Sequence, residues 1–172
     1  GGQPGGLTAF GLQVVKECNR LGIVIDVSHL AGPGLRDVLA SSEQPVIASH
    51  SNARALCDHI RNLNDAQLEA IAANGGVVCA TFVPWFIRHP WPGASLDDFL
   101  KHVDHLVAVM GIDHLGLGSD FDGYERGNLV GMEDVTRLPA LTAGLLARGY
   151  EPVAIVKILG GNLLRVFRQV VG

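Results

Sequence analysis

The sequence has 172 residues, of which 48% are hydrophobic, so it is long enough for one domain with a substantial core. Its formal net charge of −4 and its lack of a basic run argue against a nucleic-acid partner, because phosphate binding needs concentrated positive charge. No apolar run reaches the ~20 residues that a membrane helix needs. The mean hydropathy of +0.28 therefore indicates strands buried on both faces, or a large surface that meets another piece of protein.

The three cysteines, Cys18, Cys57 and Cys79, have no CxxC spacing. An odd count without that spacing gives neither a disulfide framework nor a zinc knuckle, so the cytoplasm is the favoured compartment. The opening Gly1–Gly6 resembles a loop within a protein more than a natural start. A targeting segment upstream of it therefore stays compatible with the sequence.

In the first half of the chain, helical periodicity alternates with short apolar runs rich in Val and Ile. Thr8 is typical of a helix N-cap, and Asn64 with Gln67 three residues later is typical of a capping box. The predicted elements, in chain order, are a helix from Thr8 to Gly22, a strand ending at His29, a helix over Pro33–Ser41, a strand ending at His50, a helix from Asn64 to Gly75 and a strand over Gly76–Phe82.

The second half begins with a Pro- and Trp-rich loop over 84–92, long enough to shape a pocket. Glycines and prolines then mark the ends and starts of the remaining elements. These are a helix capped by Ser95 and stopped by Gly111, a strand from Leu115 ending at Asp120, a helix from Gly131 to about Arg148, a helix starting at Pro152 and broken at Gly160–Gly161, and a closing helix over Asn162–Val171.

This order, a helix followed by four strand-plus-helix units, predicts an α/β fold with a parallel sheet. Four strands are half of an eight-stranded (β/α)8 TIM barrel, and an open half barrel leaves two unpaired edges. We therefore interpret residues 1–172 as the second half of a single barrel domain of the metal-dependent hydrolase type, whose N-terminal half lies outside this chain. The alternative is a small open sheet that is complete in itself.

Two histidines, His29 and His50, each follow one of these predicted strands and are 21 residues apart. One strand-helix-strand step places them at neighbouring strand ends, where α/β barrels carry their active sites. Two neutral imidazoles there can share one metal ion, and zinc suits nitrogen ligands at about 2.0–2.1 Å. The alternative is two polar residues whose hydrogen bonds are satisfied by loop backbone.

Asp120 ends the glycine-interleaved strand over 115–119. A carboxylate at that place can accept a proton from a metal-bound water and return it to a leaving amine. The alternative role is to cap the following turn, which is the better interpretation for Asp122 beside Gly123. Arg61 lies after the His50 strand, where its guanidinium can pair with a substrate carboxylate or simply be solvated.

The remaining histidines are not predicted to be ligands. His102 and His105 lie in one helix, on what we expect to be its wet side, whereas His59, His89 and His114 stand alone in loops or at a strand start. The sequence also has no glycine-rich nucleotide-binding loop after a strand and no Gly-x-Ser-x-Gly elbow. Nucleotide binding and serine hydrolysis are therefore disfavoured.

Several motifs in order resemble the C-terminal half of the membrane (renal) dipeptidase family of zinc peptidases. The similarity extends from 6–11 to the end of the chain, and agreement of several motifs in order and spacing is more specific than any single one. The motifs are Asp26–His29, Val46–Ser51, His59–Asn62, Gly118–Gly123 and Gly161–Phe167.

The resemblance implies a (β/α)8 barrel with two zinc ions that cleaves dipeptides with a metal-bridging hydroxide. On this basis His29 and His50 match the histidines that hold one zinc, and Asp120 matches the aspartate that handles the proton of the bridging water. Arg61 matches the arginine that grips the carboxylate of the dipeptide substrate. Phe86 falls near a position where some members have a substrate-contacting tyrosine, and it lacks the hydroxyl.

The family's N-terminal half supplies a His-x-Asp pair, a glutamate that bridges both metals and a further histidine, and none has a counterpart here. The missing half is thus an expected partner, and we expect this chain alone to bind zinc weakly and to be inactive. A homodimer is compatible with the sequence. The alternatives are another metal-dependent amidohydrolase acting on a lactone or an N-acyl amino acid, or a non-catalytic half-barrel module.

Overall fold

The computed structural model describes residues 5–124 and 127–172, and part of the glycine-rich opening, 1–4, lies outside them. Three strands pair in parallel in the order β1 (Ile47–Ala48), β2 (Val77–Ala80) and β3 (Leu115–Leu117). Helices connect successive strands, as parallel pairing requires. The predicted α/β class with a parallel sheet is therefore confirmed, whereas its completion into an eight-stranded barrel stays a prediction.

The strand expected to end at His29 is shorter than predicted. Only a parallel bridge between Asp26 and Ile47 remains, flanked by hydrogen bonds from Val27 N to Ile47 O (2.7 Å) and from Ile47 N to Ile25 O (2.9 Å). The chain turns at His29, whose φ of 71° leaves the extended region and ends the pairing. The segment nevertheless lies beside β1, so the four predicted strand segments are adjacent in chain order.

The helices begin and end where the capping signals predict in most cases. The Thr8 side chain accepts a hydrogen bond from Gly11 N, and reciprocal capping boxes form at Asn64 and Ser95. The helices are α1 (Ala9–Leu21), α2 (Gly32–Ser41), α3 (Asp65–Ala73), α4 (Pro84–Ile87), α5 (Leu96–Met110), α6 (Leu138–Ala147), α7 (Pro152–Val156) and α8 (Asn162–Val171). None of these described helices is long and apolar enough to cross a membrane.

Two helical predictions were wrong in detail. α4 lies inside the predicted loop over 84–92, because Pro84 suits the first turn of a helix. α6 begins at Leu138 rather than near Gly131, whose φ of 87° belongs to a turn closed by a hydrogen bond from Met132 N to Leu129 O. The predicted break at Gly160 is present, since its backbone is non-helical between α7 and α8.

Side chains of β2 alternate between two layers of the fold. Val78 and Ala80 belong to the main core, together with residues of α3 and α5 such as Leu68 and Phe99. Val77 and Cys79 face the opposite way, toward α8. The sheet is thus covered on both faces along β2, as its continuous run of buried residues predicts.

Helix α8 is fixed at the N-terminal edge of the sheet. Its Val166 and Val170 pack on the opposite face of β2, and its Arg165 donates to the backbone oxygens of Gly75 and Asp113, each at 3.0 Å. These two carbonyls stand just before β2 and β3. The carboxyl edge of the sheet, where the predicted site residues lie, is therefore left free by α8.

His102 is buried, contrary to the prediction that it lies on the wet side of its helix. It is 1% exposed because α5 packs against the loop after β1 and against α4. Its Nδ1 accepts from Ala53 N (3.2 Å), so its Nε2 carries the proton and donates to Ile87 O (2.8 Å). Burial lowers the pKa of His102 to about 4.

We predict that His102 makes the fold sensitive to acid. Between its ordinary pKa of 6.5 and its folded value of about 4, only the unfolded chain binds the proton, so the free energy of unfolding falls as the pH falls. Over that interval the wild-type protein should lose about 3 kcal/mol more than His102→Gln. Urea unfolding over this pH range measures the difference, and His89→Gln, at an exposed histidine, should keep the wild-type slope. Equal slopes for wild type and His102→Gln would contradict the prediction.

Candidate metal and substrate site

The structure brings the two predicted ligand histidines into contact. His29 follows the segment bridged to β1, and His50 follows β1 itself. Their Nε2 atoms are 2.9 Å apart, and the ring centroids are 4.9 Å apart at an interplanar angle of 60°. Both imidazoles therefore direct the same nitrogen to one point at the carboxyl edge of the sheet.

Two of the four predicted site residues have left-handed backbone conformations. His29 has a φ of 71° and Asp120 a φ of 60°. Non-glycine residues adopt this region at a cost, and such residues cluster at functional sites because they direct side chains that a regular strand would not. Asp122, in the same turn as Asp120, has a φ of 63° and an exposed side chain, consistent with the turn role expected for it.

The charges in this region act on one another. The pKa of His29 is lowered mainly by burial and further by Arg61 and His50, while the carboxylates of Asp120 and Asp26 oppose the shift. His29 is therefore neutral near neutral pH, the form in which imidazole binds metals. The same interactions place Arg61, Asp120 and Asp26 within electrostatic range of His29.

Arg61 is held by its neighbours in the chain. The buried amide of Asn62 donates to Cys57 O (2.9 Å) and Phe86 O (2.7 Å), which ties the loop before α3 to α4. The Arg61 guanidinium carbon lies 5.8 Å from the centre of the Phe86 ring. Burial lowers the pKa of Arg61, and its buried Nη2 atom has no hydrogen-bond partner among the described residues.

A cavity of about 560 Å³ opens beside these residues. His29 and Arg61 line it together with Arg36 and Arg54, and none of its described lining residues is acidic. A positively charged cavity lined by an arginine whose Nη2 has no partner among the described residues suits an anionic group of a substrate. Phe86 contributes to this region through its contact with Arg61 rather than with a polar group of its own.

Sequence reasoning missed three residues beside His50, namely Asp26, Ser28 and Ser49. Oδ1 of Asp26 accepts from Ser28 N (2.9 Å) and Ser49 N (3.0 Å), and Oδ2 accepts from the Ser49 hydroxyl. The Ser49 Oγ is 2.8 Å from His50 Nδ1, and Ser28 Oγ accepts from His50 N at 3.0 Å. Polar residues two positions apart at the ends of apolar strands were the signal that could have identified them.

The chemistry of the donors fits a zinc ion in part. Two nitrogen ligands of a tetrahedral zinc lie roughly 3.3 Å apart, so His29 and His50 need only a small rotation from 2.9 Å. Within 5–124 and 127–172, no group of three or more His, Cys, Asp or Glu residues is placed to hold a metal ion. His59 packs on Phe86 and His114 bonds to Gly76 O, away from the pair. The described residues thus offer two ligands, and a zinc ion needs at least one more from elsewhere.

A parallel sheet that brings two imidazoles together at its carboxyl edge is typical of metal-dependent hydrolases. Comparison with known proteins narrows this broad class to one family. Residues 2–171 match the membrane dipeptidase family (peptidase family M19), and the chain belongs to this family.

Several relatives are described as dipeptidases. Dipeptidase tcpJ of Claviceps purpurea (strain 20.1) is 40% identical over 165 residues, which are 96% of this chain and 39% of that protein. Dipeptidase 3 of Mus musculus is 41% identical over 165 residues, which are 96% of this chain and 33% of that protein. The chain therefore spans about two fifths or less of the length of these two curated relatives.

Solved structures of related proteins have the same fold as this chain. A metallo peptidase from Rhodobacter sphaeroides, bound to a phosphinate mimic of the dipeptide L-Ala-D-Ala, is 39% identical with a TM-score of 0.92, covering 98% of this chain and 48% of that one. An amidohydrolase from Pseudomonas aeruginosa is 31% identical with a TM-score of 0.92, covering 98% of this chain and 59% of that one. The arrangement of this chain's elements is therefore shared with a solved metallopeptidase and a solved amidohydrolase.

We predict that Gly118→Ala disrupts the site through the backbone. A Cβ atom on Gly118 would overlap the carbonyl group of Ser49, the residue before His50, so the chain after β1 would have to move. Such overpacking costs about 1–3 kcal/mol and displaces the His50 imidazole. Thermal unfolding with the His50 ring signals in NMR spectra measures both effects. Gly32→Ala, whose Cβ meets only Gln67 Nε2 at 3.4 Å, is the matched control. Unchanged stability and ring signals in Gly118→Ala would contradict the prediction.

Proposed function

We propose that this chain is the C-terminal part of a zinc-dependent dipeptidase built on a (β/α)8 barrel. The observation that carries the proposal is the convergence of His29 Nε2 and His50 Nε2, 2.9 Å apart, with Arg61 and Asp120 within electrostatic range of His29. Membership in the membrane dipeptidase family supports it. A first half of the barrel, outside the described residues, would supply the remaining ligands of two zinc ions and close the sheet.

In this proposal His29 and His50 would hold one zinc ion through their Nε2 atoms, which converge in the structure. Bound zinc would supply Lewis acidity, which polarises a carbonyl and lowers the pKa of a coordinated water from its bulk value toward ~7. His29 contributes to this role because its lowered pKa keeps it neutral and able to coordinate. His50 contributes a ring that is fixed on its other side by Ser49.

Asp120 and Arg61 act on the substrate side. Asp120 accepts the proton of the attacking water at its carboxylate and delivers it to the departing amine. Arg61 binds the free carboxylate of the dipeptide through its unpartnered Nη2, which restricts substrates to those that end just past the scissile bond.

We predict that zinc content separates the complete enzyme from this chain alone. Zinc needs three protein ligands and a water, or four protein ligands, and this chain offers two. Elemental analysis after dialysis against metal-free buffer should give about two zinc ions per complete polypeptide, as the proposal requires, and close to none for residues 1–172 alone. The complete enzyme should hydrolyse dipeptides, and the isolated chain should not. Robust dipeptide hydrolysis by the isolated chain would refute the proposed division of the site.

We predict that Asp120→Asn abolishes proton transfer without removing the metal. In the complete enzyme its zinc content should stay at the wild-type value, because Asp120 is not a proposed ligand. Its kcat should fall by at least about 100-fold, since an amide cannot accept the proton. Asp122→Asn, in the same exposed turn, is the matched control and should keep the wild-type kcat. An unchanged kcat in Asp120→Asn would remove the residue from its proposed role.

A second candidate is another metal-dependent amidohydrolase on the same barrel. The likeness to a solved structure described as an amidohydrolase favours it, since the same fold and imidazole pair can serve different substrates. A substrate panel separates the two candidates. Hydrolysis of lactones or N-acyl amino acids without hydrolysis of dipeptides would support the amidohydrolase, and the reverse pattern would support the dipeptidase.

A further inference from the structure

Asp26, Ser49 and His50 form a continuous chain of hydrogen bonds. Oδ2 of Asp26 accepts from the Ser49 hydroxyl, and the Ser49 Oγ is 2.8 Å from His50 Nδ1. The far end of this chain is His50 Nε2, which faces His29 at 2.9 Å. The carboxylate and the hydroxyl thus act on the ring nitrogen that points away from the proposed metal position.

The donors and acceptors allow only one direction of donation along these hydrogen bonds, from His50 through Ser49 to Asp26. An ionised carboxylate can only accept, and Asp26 already accepts two backbone N–H groups at Oδ1. The single proton of Ser49 is therefore used on Asp26, so Ser49 Oγ must accept from His50 Nδ1–H. It follows that His50 Nε2 has no proton and carries a free lone pair.

We infer that Ser49 and Asp26 are positioning residues that hold His50 in the Nδ1–H tautomer and so present its Nε2 lone pair to a metal ion. This inference rests on the proposed metal-binding role of His50. Residues bonded to the outer nitrogen of a metal-binding histidine fix its tautomer and ring orientation. Ser28 adds to the restraint, because its Oγ accepts from His50 N.

The test is the tautomer of the His50 ring, read from long-range ¹H–¹⁵N spectra of the complete enzyme labelled with ¹⁵N-histidine. Replacement of each histidine by Asn assigns the signals. The wild-type protein should show His50 protonated at Nδ1, both without zinc and with zinc bound. A wild-type His50 protonated at Nε2 would overturn the inference.

Asp26→Asn is the decisive variant because it keeps the shape of Asp26 and reverses the direction of donation along the hydrogen bonds to His50. Its amide nitrogen donates to Ser49 Oγ, whose proton then turns to His50 Nδ1, so His50 should become protonated at Nε2. Zinc affinity, measured by competition with a chelator, should fall by about 10–100-fold. A comparable swap in a serine protease triad leaves the geometry intact and produces the wrong tautomer.

Further variants separate positioning from a loss of structure. Ser49→Ala should give mixed tautomers of His50, whereas Ser49→Thr restores the hydroxyl and should keep the wild-type tautomer and zinc affinity. Ser41→Ala, the same change on α2, should leave both unchanged. A wild-type tautomer in Asp26→Asn, or undiminished zinc affinity in it, would overturn the inference and leave the proposed function standing. If the His50 tautomer changes in the variants as expected but the wild-type enzyme binds no zinc, the proposed function is overturned and the inference about the tautomer is not.

Discussion

Parallel pairing of successive chain segments is the constraint on which the candidate site depends. The bridge between Asp26 and Ile47, with β1, β2 and β3, directs every strand end to the same edge. Neighbouring strands are about 4.8 Å apart, so side chains at their ends meet. Bringing His29 and His50 together in a free chain would cost roughly 3 kcal/mol of loop entropy. Burial of the sheet and its helices offsets that cost, so no attraction between the two imidazoles is needed to bring them together.

The parts of the fold that sequence predicts well are those whose signals are local. A helix cap is decided within one turn, so Thr8, Ser95 and the pair Asn64 and Gln67 give both the position and the direction of three helices. The spacing of one strand-helix-strand step is almost as local, and it correctly placed His29 beside His50. Family motifs then added roles that spacing alone does not provide.

The parts that sequence does not predict depend on partners far away in the chain. From its helical pattern alone, His102 is expected on the surface of an amphipathic helix. In the structure it is buried, and Ala53, 49 residues earlier, donates to its ring. Ser49 and Asp26 are 23 residues apart, and their contact exists only in the correct strand register. A one-residue slip would turn Ser49 toward the opposite face and break the link to His50. The register therefore determines the chemistry of the site as well as its shape.

The edge beneath His50 is fixed by hydrogen bonds that would hold the two proposed ligands in place before a metal binds. The buried amide of Asn52 donates to Thr81 O (2.9 Å) and accepts from Thr81 N (3.0 Å), which locks the chain after β1 to the end of β2. Ser28 fixes the backbone of His50 on the other side. Metal binding would then order little that is not already ordered, so more of the metal–ligand energy would be retained as affinity. Imidazole suits zinc, copper, iron and nickel. In the proposed site, His29 and His50 would therefore contribute geometry, and the ligands that join them would determine which metal binds.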